Sequence, residues 1–285
     1  MSSQKDLFDK IQKIYQKNPN RLNIIEEQID LDIQMNYFKR SAMLKKQVVT
    51  LDEVLAKVPA LYDADARLEE KRDILILLAS FEDIDTFRFL EKYKNEAVGE
   101  IKLWASMAYR ESKLMLESSL LEDDDRILIS TGLGGKGTNL RYFVCLVHKD
   151  EEFYTEIQDK IIRNEIASSV EKYGAELESL VIENHLAKIF LLVPIDQQVK
   201  DIVGEVVDAS EELGGFLDKH VIITNVRAFS NEEILQIVHD RLREEDLLGI
   251  DFIDDEHSLG IDDDDEDDEQ DDDFDGDSDD DDELF

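Results

Sequence analysis

The sequence predicts an α+β protein in three parts: a helical domain over residues 1–121, an α/β sandwich over 126–250 and a disordered polyacidic tail over 251–285. Three observations predict it. Up to the charged joint Glu122-Asp-Asp-Asp125, apolar residues recur at helical spacing. Beyond that joint the period drops to two, and short apolar runs alternate with amphipathic stretches. From Asp251 onward there are 22 Asp and Glu and no Lys or Arg, a composition that cannot bury enough apolar surface to fold.

The helical domain opens with Ser3 and Asp6 in a capping-box pattern. Leu7, Ile11, Ile14 and Tyr15 then share one face, and Asn18-Pro19-Asn20 stops the helix. Ile25, Ile29, Ile33 and Phe38 predict a longer helix from Leu22 to about Gln47, and Leu51–Val58 a short one ended by Pro59. Ala66–Ser80, Asp83–Lys94 and Val98–Glu117 follow as three amphipathic helices on short connections, hence as antiparallel neighbours. Trp104, with Ile101 and Ala108, falls on an apolar face and reads as core.

In the second half, strands are expected at Arg126–Ser130, Leu140–His148, Leu177–Glu183, Leu186–Ile195 and His220–Val226. Between them, Glu151–Tyr173 reads as a helix with Tyr154, Ile157, Ile161, Ile166, Val170 and Tyr173 inward, closed by Gly174. A second helix is expected to be capped by Asp196, to carry a stripe from Val199 to Leu213, and to end at Gly214-Gly215. Ser230 and Glu233 predict a capping box for a final helix lined by Ile234, Ile237, Val238 and Leu242. The order βαββαβ from Leu140 to Val226 is that of a ferredoxin-like sandwich, with Arg126–Ser130 as an extra strand. Many functions share that fold, so it selects no chemistry.

Composition narrows the function classes. The net charge is −38 at pH 7, from 32 basic and 70 acidic residues; the last 35 residues carry −22 and the body −16. Such a field disfavours direct contact with nucleic acid or anionic lipid and favours basic proteins, nucleic-acid-handling ones among them. Cys145 is alone, so no intramolecular disulfide forms, which fits a reducing compartment; mid-strand, it reads as a small buried hydrophobe. No signal-peptide pattern opens the chain and no apolar run approaches a membrane span, so a cytoplasmic location is expected.

Residues 132–137 satisfy G-x-G-x-x-G and make Gly132, Gly134, Gly135, Lys136 and Gly137, with Arg141 beyond them, the candidate ligand site. In a dinucleotide fold the loop opens a helix whose N-terminus holds the pyrophosphate; here it leads into a strand. A Walker A loop fails because Ser130 occupies its first glycine position and Gly137 replaces its hydroxyl. Protein kinases place a strand–glycine loop–strand over phosphates, but no V-A-I-K, H-R-D or D-F-G equivalent follows. What remains is a long hairpin tip, or a loop that meets an anionic metabolite or nucleotide with its amides, Lys136 and Arg141. The five histidines show no ligand spacing, no catalytic triad can be assembled, and neither a cofactor nor a metal is expected. Asp271–Asp279 imitates an EF-hand start, as any aspartate-rich run does, but Asp282 stands in place of the bidentate glutamate.

Two resemblances add to this reading. Asp83–Ser112, DIDTFRFLEKYKNEAVGEIKLWASMAYRES, resembles a HEAT-type helical repeat: a bulky first helix, a short turn, and a second helix with small residues at Ala105 and Ala108. That family implies a stacking scaffold with a displayed face. The terminal DDDDELF (Asp279, Asp280, Asp281, Asp282, Glu283, Leu284, Phe285) is similar to the acidic tip of bacterial single-stranded-DNA-binding proteins. There the terminal phenylalanine docks in a basic-rimmed pocket, which implies a docking role for Leu284 and Phe285; Leu284 stands where that tip carries proline. The leading expectation is a non-enzymatic adaptor or chaperone-like protein whose acidic arm binds basic partners. The alternative is a module sensing an anionic ligand at the glycine loop. The arm could also act as a pseudo-ligand for Lys136 and Arg141.

Overall fold

The structure, a computed structural model, describes Tyr15, residues 22–121 and residues 127–244. The expected helix over Leu7–Ile14 and the tail over 251–285 lie outside those residues.

The described helices are α1 (Leu31–Leu44), α2 (Leu51–Leu55), α3 (Leu68–Ala79), α4 (Ile84–Glu96), α5 (Glu100–Leu121), α6 (Glu156–Lys172), α7 (Val199–Glu212) and α8 (Asn231–Glu244). The strands are β1 (Leu22–Ile24), β2 (Ile127–Ile129), β3 (Gly135–Lys136), β4 (Asn139–Val147), β5 (Glu176–Glu183), β6 (Leu186–Pro194) and β7 (Ile222–Thr224).

Helix α3 is the axis of the helical block. Ile74 to Ala79 are buried in an unbroken run, so the second half of the helix is apolar all round and needs neighbours on every side. It packs against α1, α2, α4 and α5. Asp83 begins α4 by accepting from Thr86 N at 2.8 Å, and Thr50 with Glu53 closes a full capping box on α2. After α2 the chain makes a 3₁₀ turn over Val58–Leu61, which takes Pro59 at its first positions. Ala105 and Ala108 are fully buried where α5 meets α3 and α4; their small side chains let the backbones approach. Trp104 is buried beside Tyr37, ring centroids 5.6 Å apart, and Arg72 covers its ring at 4.7 Å. Each large side chain buried this way is worth about 1.5–3 kcal/mol.

In the sandwich, β7, β4, β6 and β5 lie side by side in that order, every pairing antiparallel. This is the split-βαβ arrangement the sequence predicts. Helices α6 and α7 cover one face through Ile162, Ile166, Ile202, Val203 and Val206, against Val144, Leu146, Ile189 and Leu191. Helix α8 lies on the other face, where Ile234 and Val238 meet Phe143, Cys145, Val147 and Ile222. The Ser230–Glu233 capping box begins it, with bonds of 2.8 and 3.2 Å.

Several expectations of the local pattern differ from the structure. Residues 22–24 are a strand: β1 pairs in parallel with β2, Leu22 opposite Ile127 and Ile24 opposite Ile129, in a two-stranded sheet of their own. The i, i+4 spacing of Ile25, Ile29 and Ile33 imitates a helix, but Ile24 faces the sandwich while Ile25 and Ile29 face the helical core. Helix α1 starts only at Leu31, with Asp30 accepting from Asp32 N at 2.9 Å. The extra strand therefore exists, but it joins β1 rather than the sandwich sheet. Helix α7 begins at Val199 with Gln198 as a cap that makes no side-chain bond, rather than at Asp196.

Candidate functional site

The glycine loop follows β2 and lies where the helical block and the sandwich meet. Leu22, Ile24, Ile129, Leu140 and Ile195 form a small shared core there, with Tyr15 packed against it. Ile25 N donates to Ile129 O at 3.0 Å and Ile29 N to Gly132 O at 3.2 Å, extending the β1–β2 pairing into the loop. The buried Gln34 amide donates to Ile29 O at 2.7 Å and to Thr131 O at 3.2 Å, tying α1 to the same turn.

Chain, rather than open space, surrounds the first three glycines. A Cβ on Gly132 would lie 1.8 Å from Val226 O, and one on Gly134 2.5 and 2.6 Å from the carbonyl oxygens of Glu26 and Glu27. Gly135 has Asn139 O at 2.2 Å and the Ile24 side chain at 2.9 Å from the same position. Gly134 also holds φ at +69°, which L side chains adopt at a cost. The loop's amides are largely engaged: Leu133 N donates to Asn225 O at 2.9 Å, Gly134 N to Thr131 O at 3.2 Å, and Gly137 N to the Glu26 carboxylate at 3.3 Å.

Both candidate cations have carboxylate partners on β5. Lys136 Nζ lies 3.1 Å from Glu176, and Arg141 makes a two-pronged contact with Glu178 at 2.5 and 2.9 Å. Arg141 also donates to Leu133 O at 2.8 Å. The hydrogen bonds from Arg141 hold the Glu178 carboxyl below its usual range, against the opposing effect of burial. Structure thus brings Gly132, Gly134, Gly135, Lys136, Gly137 and Arg141 together on one loop and hairpin. An external anion reaching those amides and cations would compete with Glu26, Glu176 and Glu178. The tip residues Asp279 to Phe285 lie outside the described residues.

A second charged cluster at this seam escaped the sequence reading. Glu27 accepts from Arg110 at 3.2 Å and meets Lys94 at 3.5 Å, so one carboxylate from the β1 segment holds both α4 and α5. Burial pushes its carboxyl up; Arg110, a backbone hydrogen bond and Lys94 outweigh that and leave it lowered. No local pattern marks such a contact, because its members are 67 and 83 residues apart.

The remaining polar candidates are dispersed. His148 is buried against Tyr154 and Phe216, ring centroids 5.4 and 6.4 Å away. His220 meets Asp218 at 2.9 Å and His239 meets Glu151 at 3.4 Å. Among the described residues, no group of three or more His, Cys, Asp and Glu could hold a metal ion. Cys145 is buried, and burial raises its thiol to about 12, opposed only by Lys188. Ile157, expected to face inward, is instead 72% exposed, and Phe153 is 71% exposed. The reason is the helical face: at 3.6 residues per turn Ile157 lies about 140° round the helix from Ile162 and about 180° from Ile166, on the side away from the buried stripe.

No protein-family model and no curated protein matches the chain. Among solved structures, similarity is found to a putative transposase from Deinococcus radiodurans R1, at 15% identity and a TM-score of 0.29, over 39% of this chain and 95% of that one. A REP-associated tyrosine transposase bound to a REP hairpin is similar at 12% identity and a TM-score of 0.27, over 38% of this chain and 68% of that one. No helix among the described residues is long and apolar enough to cross a membrane.

Proposed function

We propose that this chain is a non-enzymatic, cytoplasmic adaptor or chaperone-like protein that captures basic protein partners with its acidic C-terminal arm. The observation that carries the reading is the distribution of charge: −22 over residues 251–285, with no cation among them, against −16 over the 250 residues before. An arm of that density attracts a basic surface at long range and raises encounter rates without a fixed pocket. The folded part supplies display surfaces: a helical block built around α3, and a sandwich whose loop cations are matched internally by Glu176 and Glu178. That internal matching supports the arm, rather than the glycine loop, as the recognition element.

The test is affinity capture with the intact chain and with a version ending at Ile250, compared by mass spectrometry across a salt series. Basic proteins should be recovered by the intact chain alone. Recovery should fall steeply between about 0.1 and 1 M salt, as the screening length shrinks from ~10 to ~3 Å. The same proteins recovered equally by both versions would remove the arm from the account.

A further inference from the structure

We infer that the exposed pair Phe153 and Ile157 is an apolar anchor site for the same basic partner that the arm attracts, so that recognition is two-pronged. The inference rests on the proposed function and adds a folded surface to it.

Phe153 and Ile157 are 71% and 72% exposed and lie four positions apart at the entry to α6. The fold does not consume them. Entry into α6 is fixed by the Thr155–Gln158 capping box and by Tyr154, which packs edge-on to Phe216 at 6.3 Å and donates to Leu146 O at 3.3 Å. Large apolar groups left in water this close together in the chain are what a partner's apolar face can cover.

Charge around the pair selects the occupant. From Lys149 to Lys160 the exposed rim carries Asp150, Glu151, Glu152 and Glu156, while the half-buried Asp159 is paired with Arg163; Lys149 and Lys160 are the only cations in that stretch. A cationic segment with apolar residues on one face complements both the rim and the pair. Helix α8, the last described element before the arm, touches the same segment. His239 of α8 is 3.4 Å from Glu151, and α8 ends five residues later at Glu244, about 7–8 Å further along a helix. A partner that engages both Phe153–Ile157 and the acidic arm gains from the combination, because each contact raises the effective concentration for the other.

The experiment uses the full chain and two roughly 18-residue cationic peptides of equal charge, one with leucines on one helical face and one with serines there. The intact chain should bind the leucine peptide about tenfold more tightly. The full-length variant Phe153→Ala/Ile157→Ala should lose that preference while keeping salt-sensitive binding of both peptides. A full-length variant with every aspartate from Asp262 to Asp282 changed to Asn should keep the preference but bind both peptides more weakly. Equal binding of the two peptides by the intact chain overturns the anchor and leaves the arm reading standing. A preference that survives Phe153→Ala/Ile157→Ala does the same. Tighter peptide binding by that double variant than by the intact chain would also overturn it, since the pair would then oppose capture. If neither peptide binds at low salt, the arm reading falls as well.

Discussion

Arg110 of α5 places its guanidinium 3.2 Å from the carboxylate of Glu27, across the line where the helical block meets the β1–β2 seam. Both side chains are mostly shielded from water, at 14% and 30% exposure. A contact of this kind, partly screened, is worth about 1–2 kcal/mol when one partner is removed. Arg110→Ala should lower stability by that amount in urea unfolding. The pH dependence has a definite sign. The Glu27 carboxyl is depressed in the folded state, so its contribution is present above the ordinary carboxylate range and lost as pH falls through the folded value. Glu27→Gln should flatten the acid limb of the stability curve below about pH 4.5.

Gly134 and Gly137 both hold positive φ, at +69° and +62°, yet differ in surroundings. Backbone oxygens of Glu26 and Glu27 crowd the Cβ position at Gly134, while nothing lies within 4 Å of it at Gly137. Gly137→Ala should cost about 1 kcal/mol, the backbone strain alone. Gly134→Ala should cost roughly 3 kcal/mol or more, because the seam must shift as well. Similar small losses from both, measured by denaturant unfolding, would mean that the loop is not a structural joint.

Cys145 should resist modification. With its thiol at about 12, almost no thiolate is present at pH 8, and the side chain is buried. A thiol reagent such as DTNB should react only as the sandwich unfolds, its rate following the guanidinium transition. Rapid reaction of the native protein would show that α8 leaves the sheet face readily.

Glu233 offers a reporter of the α8 start. The hydrogen bond from Arg227, then the backbone amide of Ser230, hold its carboxyl down to about 2. Protonation should therefore open the cap only as pH falls toward that value, after most other carboxylates have titrated. In Arg227→Ala the midpoint, read by NMR, should move up toward the ordinary range.

Much of the sandwich was legible because its signals are local. The short apolar run Tyr142–Val147, the Asn184-His185 turn with Asn184 at φ +56°, and the Ser230–Glu233 box each lie within a few residues. The seam was not legible. Leu22–Ile24 is three residues long and gains its partner from Ile127–Ile129, so nothing near it in sequence distinguishes a strand from the first turn of a helix. The site divided the same way. The glycines were visible as a motif, but only Glu26, Glu27 and Val226 closing over them explain why glycine stands there. Ile157 shows the converse: its apolar character predicted burial, and its place on the face of α6 opposite Ile162 and Ile166 set it outside.

The parallel pairing of Leu22 with Ile127 has a consequence for synthesis. The first strand leaves the ribosome about a hundred residues before its partner, a wait of roughly 5–20 s at ~5–20 residues per second. During that interval Leu22 and Ile24 have no sheet to join, although the intervening helices can already assemble around α3. The nascent chain thus passes through a stage with one finished unit and one sticky apolar strand, the stage at which a ribosome-bound holdase would find it.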